Sequence, residues 1–230
     1  MKTLTMALAL LIMAAALMAD PFADYQKNPG DETFAAANSF FRQKLAADST
    51  DAQSRLMLGY LLYMEADRAT GWFARHEADL NAGQRFGYAN LLLAMGQYED
   101  AVPQYEKLNQ ASPEWSCPWR HKGQALYQSG HYAEAEQSLQ KAIETRKEHY
   151  DAYIWLAKTQ HAMKKDAEAL STLETGLGYL GQDSENPEAE VDDLDVRFLH
   201  LTLLEANHRA DEANKLRADL MRDAPNDPRL

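Results

Sequence analysis

Three segments of this chain fall into register at a spacing of 34 residues, and that period limits the fold more than any other feature of the sequence. Gly96, Gly130 and Lys164 occupy one column of the register. Ala101, Ala135 and Ala169 fill a second, and Tyr105, Leu139 and Leu173 a third. Ala89, Gly123 and Ala157 fill a fourth. A period held by several residue types at once marks an array of repeated supersecondary units, none of which buries its apolar face alone.

The residue types say what the unit is. A small residue in a first helix, facing a small residue in the second, lets two backbones pack at the short end of the interaxial range. The Gly or Lys between them falls at a helix–helix turn, where Gly accepts positive φ and ends the first helix. The bulky column fills the space between successive units. In the first of the three units this predicts a helix over about Ala82–Met95 and a partner over about Tyr98–Ala111, stopping before Pro113.

These residues resemble the tetratricopeptide repeat family, in which a Trp or Tyr, a Leu-Gly pair, a Tyr, an Ala, a Phe and a Pro recur in order. The middle unit carries Trp119, Gly123, Leu126, Gly130, Tyr132, Ala135, Leu139 and Ala142. The next carries Tyr153, Leu156, Ala157, Ala169 and Leu173, and the preceding one Ala89, Leu92, Gly96, Tyr98, Ala101, Tyr105 and Pro113. Three positions depart: Lys147 stands where the family has Pro, Arg85 where it has an aromatic, and Gly176 where it has a second Ala.

The resemblance implies an all-α, right-handed superhelical solenoid of antiparallel helix pairs. Its concave groove would be lined by the first helices and would hold a peptide or partner protein. Carried onto this chain, the lining comprises Tyr60, Tyr63, Phe86, Asn90, Leu93, Arg120, Gln124, Tyr127, Ile154, Lys158 and His161. Asn90, Arg120 and Lys158 would form a polar-to-cationic stripe, loosely similar to the carboxylate clamp by which some family members grip a peptide C-terminus. An ordinary solvated mixed face is the alternative reading of the same stripe.

The period weakens at both ends. Residues 82–178 are expected to form the three-unit core, and 51–81 a divergent first helical repeat in which Leu58-Gly59-Leu62 opens the first helix and Trp72–Leu80 forms the second. Residues 20–50 would supply a lead-in and a helix over Thr33–Ala47, where Phe34, Ala37, Phe41 and Leu45 recur at helical spacing. Residues 179–193 read as a solvated acidic loop and 194–230 as a closing helical pair with its tail. Atypical terminal units are expected of a repeat array.

Residues 1–19 carry a separate signal. Lys2 precedes an apolar run from Leu4 to Ala19 that is broken only by Thr5, and Asp20 follows. This is the pattern of a cleaved secretory signal peptide, which predicts a secreted, periplasmic protein with no stable membrane insertion after cleavage. An uncleaved anchor is the alternative, although the run is short for a bilayer span. Cys117 is the single cysteine, so an intramolecular disulfide is excluded.

The net charge of −12 argues against nucleic acid as a partner, because that binding is driven by clustered Lys and Arg. No metal-ligand spacing, Gly-rich phosphate loop or nucleophile elbow is present, so the sequence predicts no catalytic residue, no cofactor and no metal. The Trp residues 115, 119 and 155 are expected as core aromatics between units. The functional expectation is a non-catalytic interaction module or scaffold of the cell envelope. Its alternative is a regulatory or substrate-recruiting subunit of an envelope enzyme complex.

Overall fold

The computed structural model describes residues 21–182 and 194–230. The expected signal segment and most of the acidic loop lie outside them. Among the described residues the chain forms eleven α-helices and no strand. It divides into two compact units, Met1–Arg75 and His76–Leu230.

In the first unit, α1 (Pro21–Lys27), α2 (Asp31–Ala47) and α3 (Ala52–Arg75) surround a core of Phe22, Tyr25, Ala37, Phe41, Met57 and Leu61. Thr33 ties the turn before α2, its Oγ1 accepting from the Gly30 N–H and donating to the Asn28 carbonyl. Tyr25 donates to Glu65 Oε1 at 2.9 Å, a contact spanning 40 residues. Burial and that carboxylate together push its phenol up to about 12.

One expectation fails here. The predicted second helix over Trp72–Leu80 does not form, because α3 continues unbroken to Arg75 and is followed only by a 3₁₀ turn, Glu77–Asp79. No Pro or turn signal interrupts Ala52–Arg75, so helix propagation wins. Gly59 is not a helix-pairing position within the chain either: a Cβ there would meet nothing within 4 Å.

The second unit contains four helix pairs: α4 (Ala82–Ala94) with α5 (Tyr98–Ala111), α6 (Ser116–Gln128) with α7 (Tyr132–Thr145), α8 (Tyr150–Ala162) with α9 (Asp166–Leu177), and α10 (Leu194–Ala206) with α11 (Ala210–Asp223). Each pair turns on the same device. Gly96, Gly130, Lys164 and His208 all adopt positive φ, at 73°, 83°, 63° and 59°. In every case the next N–H reaches back to the carbonyl five residues earlier, as in Gln97 to Leu92 at 2.9 Å and Arg209 to Leu204 at 2.9 Å. These are four Schellman closures, two of them built on non-glycine residues.

The small-residue columns lie where the pairs meet. Ala89, Ala101, Ala135, Ala157 and Ala169 are fully buried, as are Tyr105, Leu139 and Leu173. Gly176 departs from the family's Ala because the site has no room: an added Cβ would run into Tyr153 Cβ and lie 3.0 Å from its Cγ. At the chain's end, Arg229 lies 3.9 Å from the Phe198 ring centroid and pairs with Asp195 at 2.6 Å. The tail thereby folds over the first helix of the last pair.

Candidate functional site

The first helices α4, α6, α8 and α10 of the second unit contact one another in order and form one layer, with the second helices forming the other. The side chains expected to line that first-helix face fall into two kinds, those consumed by packing and those left outward.

Phe86 is consumed. Its ring centroid lies 4.7 Å from Trp115, 5.2 Å from His121 and 6.3 Å from Tyr105, so it wedges α4 against α6. Asn90 accepts a hydrogen bond from the Tyr105 hydroxyl at 2.8 Å. Ile154 is buried, and Leu93 is half-buried. His161 Nδ1 meets Asp166 Oδ1 at 2.6 Å, tying the end of α8 to the start of α9.

Arg120 is also drawn inward. Its side chain keeps 16% exposure, donating to Gln124 Oε1 at 2.8 Å and meeting His121 Nε2 at 2.9 Å. His121 Nδ1 lies 2.9 Å from the Cys117 carbonyl, so the proton belongs on Nδ1 and Nε2 accepts from the guanidinium. Burial, then the Arg120 charge, push the His121 pKa down to about 3. The stripe expected from Asn90, Arg120 and Lys158 therefore does not form as one open row.

What remains half-exposed is centred on α6 and α8, where Tyr127 and Trp155 pack with one side against the core of Leu126, Leu139 and Leu156. The Tyr127 ring lies 5.5 Å from Trp155 and 5.6 Å from Tyr132. The Lys158 ammonium sits 4.6 Å from the Trp155 ring centroid. Among the described residues the contact shown for the Lys158 ammonium is that ring face, with no ion pair to a carboxylate. The patch is thus a cation on an aromatic floor within a strongly anionic chain.

Tyr60 and Tyr63 belong to the first unit. The Tyr60 ring packs 5.9 Å from Phe22 against that unit's core and is half-buried there. Tyr63 is 57% exposed on α3, beside Leu62 and two turns from exposed Leu56.

Sequence reasoning passed over His121, His149, Asp151 and the outward role of Trp155. His149 had a signal: it stands 34 residues after Trp115, at the matching position before a first helix. Of the Trp residues expected as core, Trp155 packs against the Leu126–Leu139–Leu156 cluster and Trp115 against Phe86, although none is fully buried; Trp119 Nε1 donates to the Pro113 carbonyl at 3.0 Å. Among the described residues no group of three His, Cys, Asp or Glu side chains is placed to hold a metal ion. Among the same residues no helix is long and apolar enough to cross a membrane.

Residues 126–189 match the family model of the tetratricopeptide repeat. No curated protein sequence matches the chain. Among solved structures, PilW, titled a widely conserved type IV pilus biogenesis factor, is similar with a TM-score of 0.60 and 17% identity over 90% of this chain and 92% of that one. That likeness shows the fold, an all-α array of helix pairs of tetratricopeptide type. The TPR2B domain of yeast Sti1, in its pHsp70 complex, has a TM-score of 0.49 and 22% identity over 54% of this chain and 96% of that one. The corresponding values for the structure titled MamA MSR-1 C2 are 0.49, 24%, 66% and 89%.

Proposed function

We propose that this protein is a non-catalytic interaction module of the cell envelope, holding a peptide or partner protein against the first-helix face of its second unit. The observation that supports this reading is the Tyr127–Trp155–Lys158 patch, an aromatic surface carrying a cation that no carboxylate among the described residues neutralises. Aromatics supply burial at low conformational cost, and a partly desolvated ammonium orients an acidic group. The partner segment would therefore carry a carboxylate next to an apolar or aromatic side chain. Export by the cleaved leader of residues 1–19 places the module outside the cytoplasm in this reading.

The test is capture of partners from the native envelope on immobilised wild-type protein and on the Lys158→Glu and Tyr127→Ala variants. A band retained by wild type and lost from both variants is the expected result. Equal capture by all three overturns the reading. A stoichiometric catalytic subunit among the captured proteins would instead make this chain its recruiting subunit. The exported protein should begin after Ala19 by mass, and a retained Met1 would refute the cleaved leader.

A further inference from the structure

Helix α3 turns an apolar face to solvent. Met57 and Leu61 enter the core with Phe22 and Phe41, and helical geometry sets Gly59 on the opposite side of the helix. A surface helix ordinarily carries charged and polar residues there. Between Ala52 and Ala66, the positions within about 60° of Gly59 are instead Ala52, Leu56, Leu62, Tyr63 and Ala66, with Arg55 the one charge. Leu56 and Leu62 are 50% and 41% exposed, and Tyr63 is exposed beside them. A Cβ at Gly59 would meet nothing within 4 Å.

The order of these side chains reads alike in both directions from Gly59. Leucine stands three residues before it and three after, and alanine seven before and seven after. Four before is Arg55 and four after is Tyr63. Two antiparallel copies of a helix related by a two-fold axis at Gly59 set each residue against the one equally far on the other side of that glycine. Leu62 then meets Leu56 of the second copy, and Ala66 meets Ala52. Gly59 faces itself, which lets the axes approach at the short end of the usual 8–10 Å range. Arg55 comes onto the Tyr63 ring of the second copy, a cation–π pair made twice. Among the described residues the contact shown for Arg55 is to the neutral Ser49 carbonyl.

We propose that α3 is a self-association surface on which two copies of this chain pair antiparallel about a two-fold axis at Gly59. A second copy is the occupant because only a self-pairing helix calls for a face that is symmetric about its own midpoint. Charge agrees: the chain carries −12 overall, yet the face holds no acidic residue, so two copies meet where their repulsion is least. Its length agrees too. Thr70, the next position along the same line, is buried. A second α3 that starts at Ala52 ends opposite Ala66, short of it. The proposal does not rest on the Lys158 patch, which lies on the other unit.

The test is sedimentation equilibrium from about 10 μM to 1 mM, since a contact of about four helical turns per copy falls in the small, transient class. A reversible monomer–dimer equilibrium is expected both for the full chain and for the chain beginning at Asp20. Leu62→Glu should weaken it by about tenfold or more, because each dimer loses two leucine contacts. Gly59→Leu should do the same by holding the axes apart, and Lys158→Gln should change nothing. Crosslinking fixes the geometry. In a Cys117→Ser background, Leu56→Cys mixed with Leu62→Cys should form an intermolecular disulfide. Either alone should not, because its two copies lie about 9 Å apart along the axis, beyond the roughly 7 Å that a disulfide spans. Monomers at every concentration, a dimer indifferent to Leu62→Glu, or self-crosslinking of a single variant as fast as the mixture overturns the proposal. So does a dimer formed by the full chain alone, which would belong to residues 1–19. A lowered melting temperature in monomeric Leu62→Glu also overturns it, since the face would then be packed within its own chain.

Discussion

Gly123 and Leu139 compete for the same volume: a Cβ added to Gly123 would overlap Leu139 Cγ and stand 2.8 Å from Cδ2. Leu139 is fully buried, so it has nowhere to retreat. The contact joins α6 to α7 at the point where the small-residue column crosses the bulky one.

Gly123→Ala should therefore destabilise the second unit, although alanine is the better helix former. Overpacking costs roughly 1–3 kcal/mol, while the gain in helix propensity is only about 1 kcal/mol. Leu139→Ala should cost more, about 2–5 kcal/mol, by leaving a cavity. The double variant Gly123→Ala/Leu139→Ala should be less damaging than the sum of the two, because the new methyl enters the space the Leu vacates. Urea denaturation of the three variants checks this, and additive losses would refute the shared-volume account.

The four turns make a second comparison. Lys164 and His208 hold left-handed backbone at φ 63° and 59°, where Gly96 and Gly130 do so without a Cβ. Left-handed conformation costs an L-residue roughly 1–2 kcal/mol, partly offset by the greater unfolded-state entropy of glycine. Lys164→Gly and His208→Gly should each stabilise by about 0.5–1 kcal/mol, and Gly130→Ala should destabilise by a similar amount. Melting temperatures moving in the opposite directions would show that side-chain contacts, not backbone strain, govern these turns.

Acid should weaken the second unit through its buried imidazoles. His121 and His149 have folded-state pKa values pushed down to about 3, below the ordinary 6.5, chiefly by burial. In that interval the unfolded chain binds protons that the folded chain refuses, so stability is complete above about pH 6.5 and declines as pH falls toward 3. Glu77, held below its usual range first by its hydrogen bond to Lys107 and then by Gln104, acts in the same direction at the lower end. His149→Asn should flatten the fall in melting temperature between pH 6.5 and 4.5. An unchanged pH profile in that variant would refute the assignment.

How far the sequence could be read differs from helix to helix. The helices Ala82–Ala94 and Tyr98–Ala111 follow directly from the small-residue columns and from the Gly96 turn. Lys164 could be placed in a turn only by register, since nothing in a lysine announces positive φ. The first unit was harder. Gly59 mimics the Leu-Gly signature of a first helix, yet its exposed side meets no helix, and α3 runs through the expected turn. The short helix Pro21–Lys27 has no periodic signal of its own and owes its place to Phe22 and Tyr25 in the core.

The sequence by itself determined the repeat, its turns and the faces on which helices meet, because these depend on backbone conformation and side-chain size at fixed intervals along one chain. Which polar and aromatic residues of the first helices stay available was decided only by tertiary structure. Tyr60 is taken by Phe22, Asn90 by Tyr105, Arg120 by the junction with His121, and His161 by Asp166. Periodicity says which way a side chain points, but two of these partners, Phe22 and Tyr105, lie far off along the chain, and whether a group is consumed or free depends on who arrives opposite it. Lys158 stays available because, among the described residues, the fold brings the half-buried Trp155 ring to that ammonium and no carboxylate.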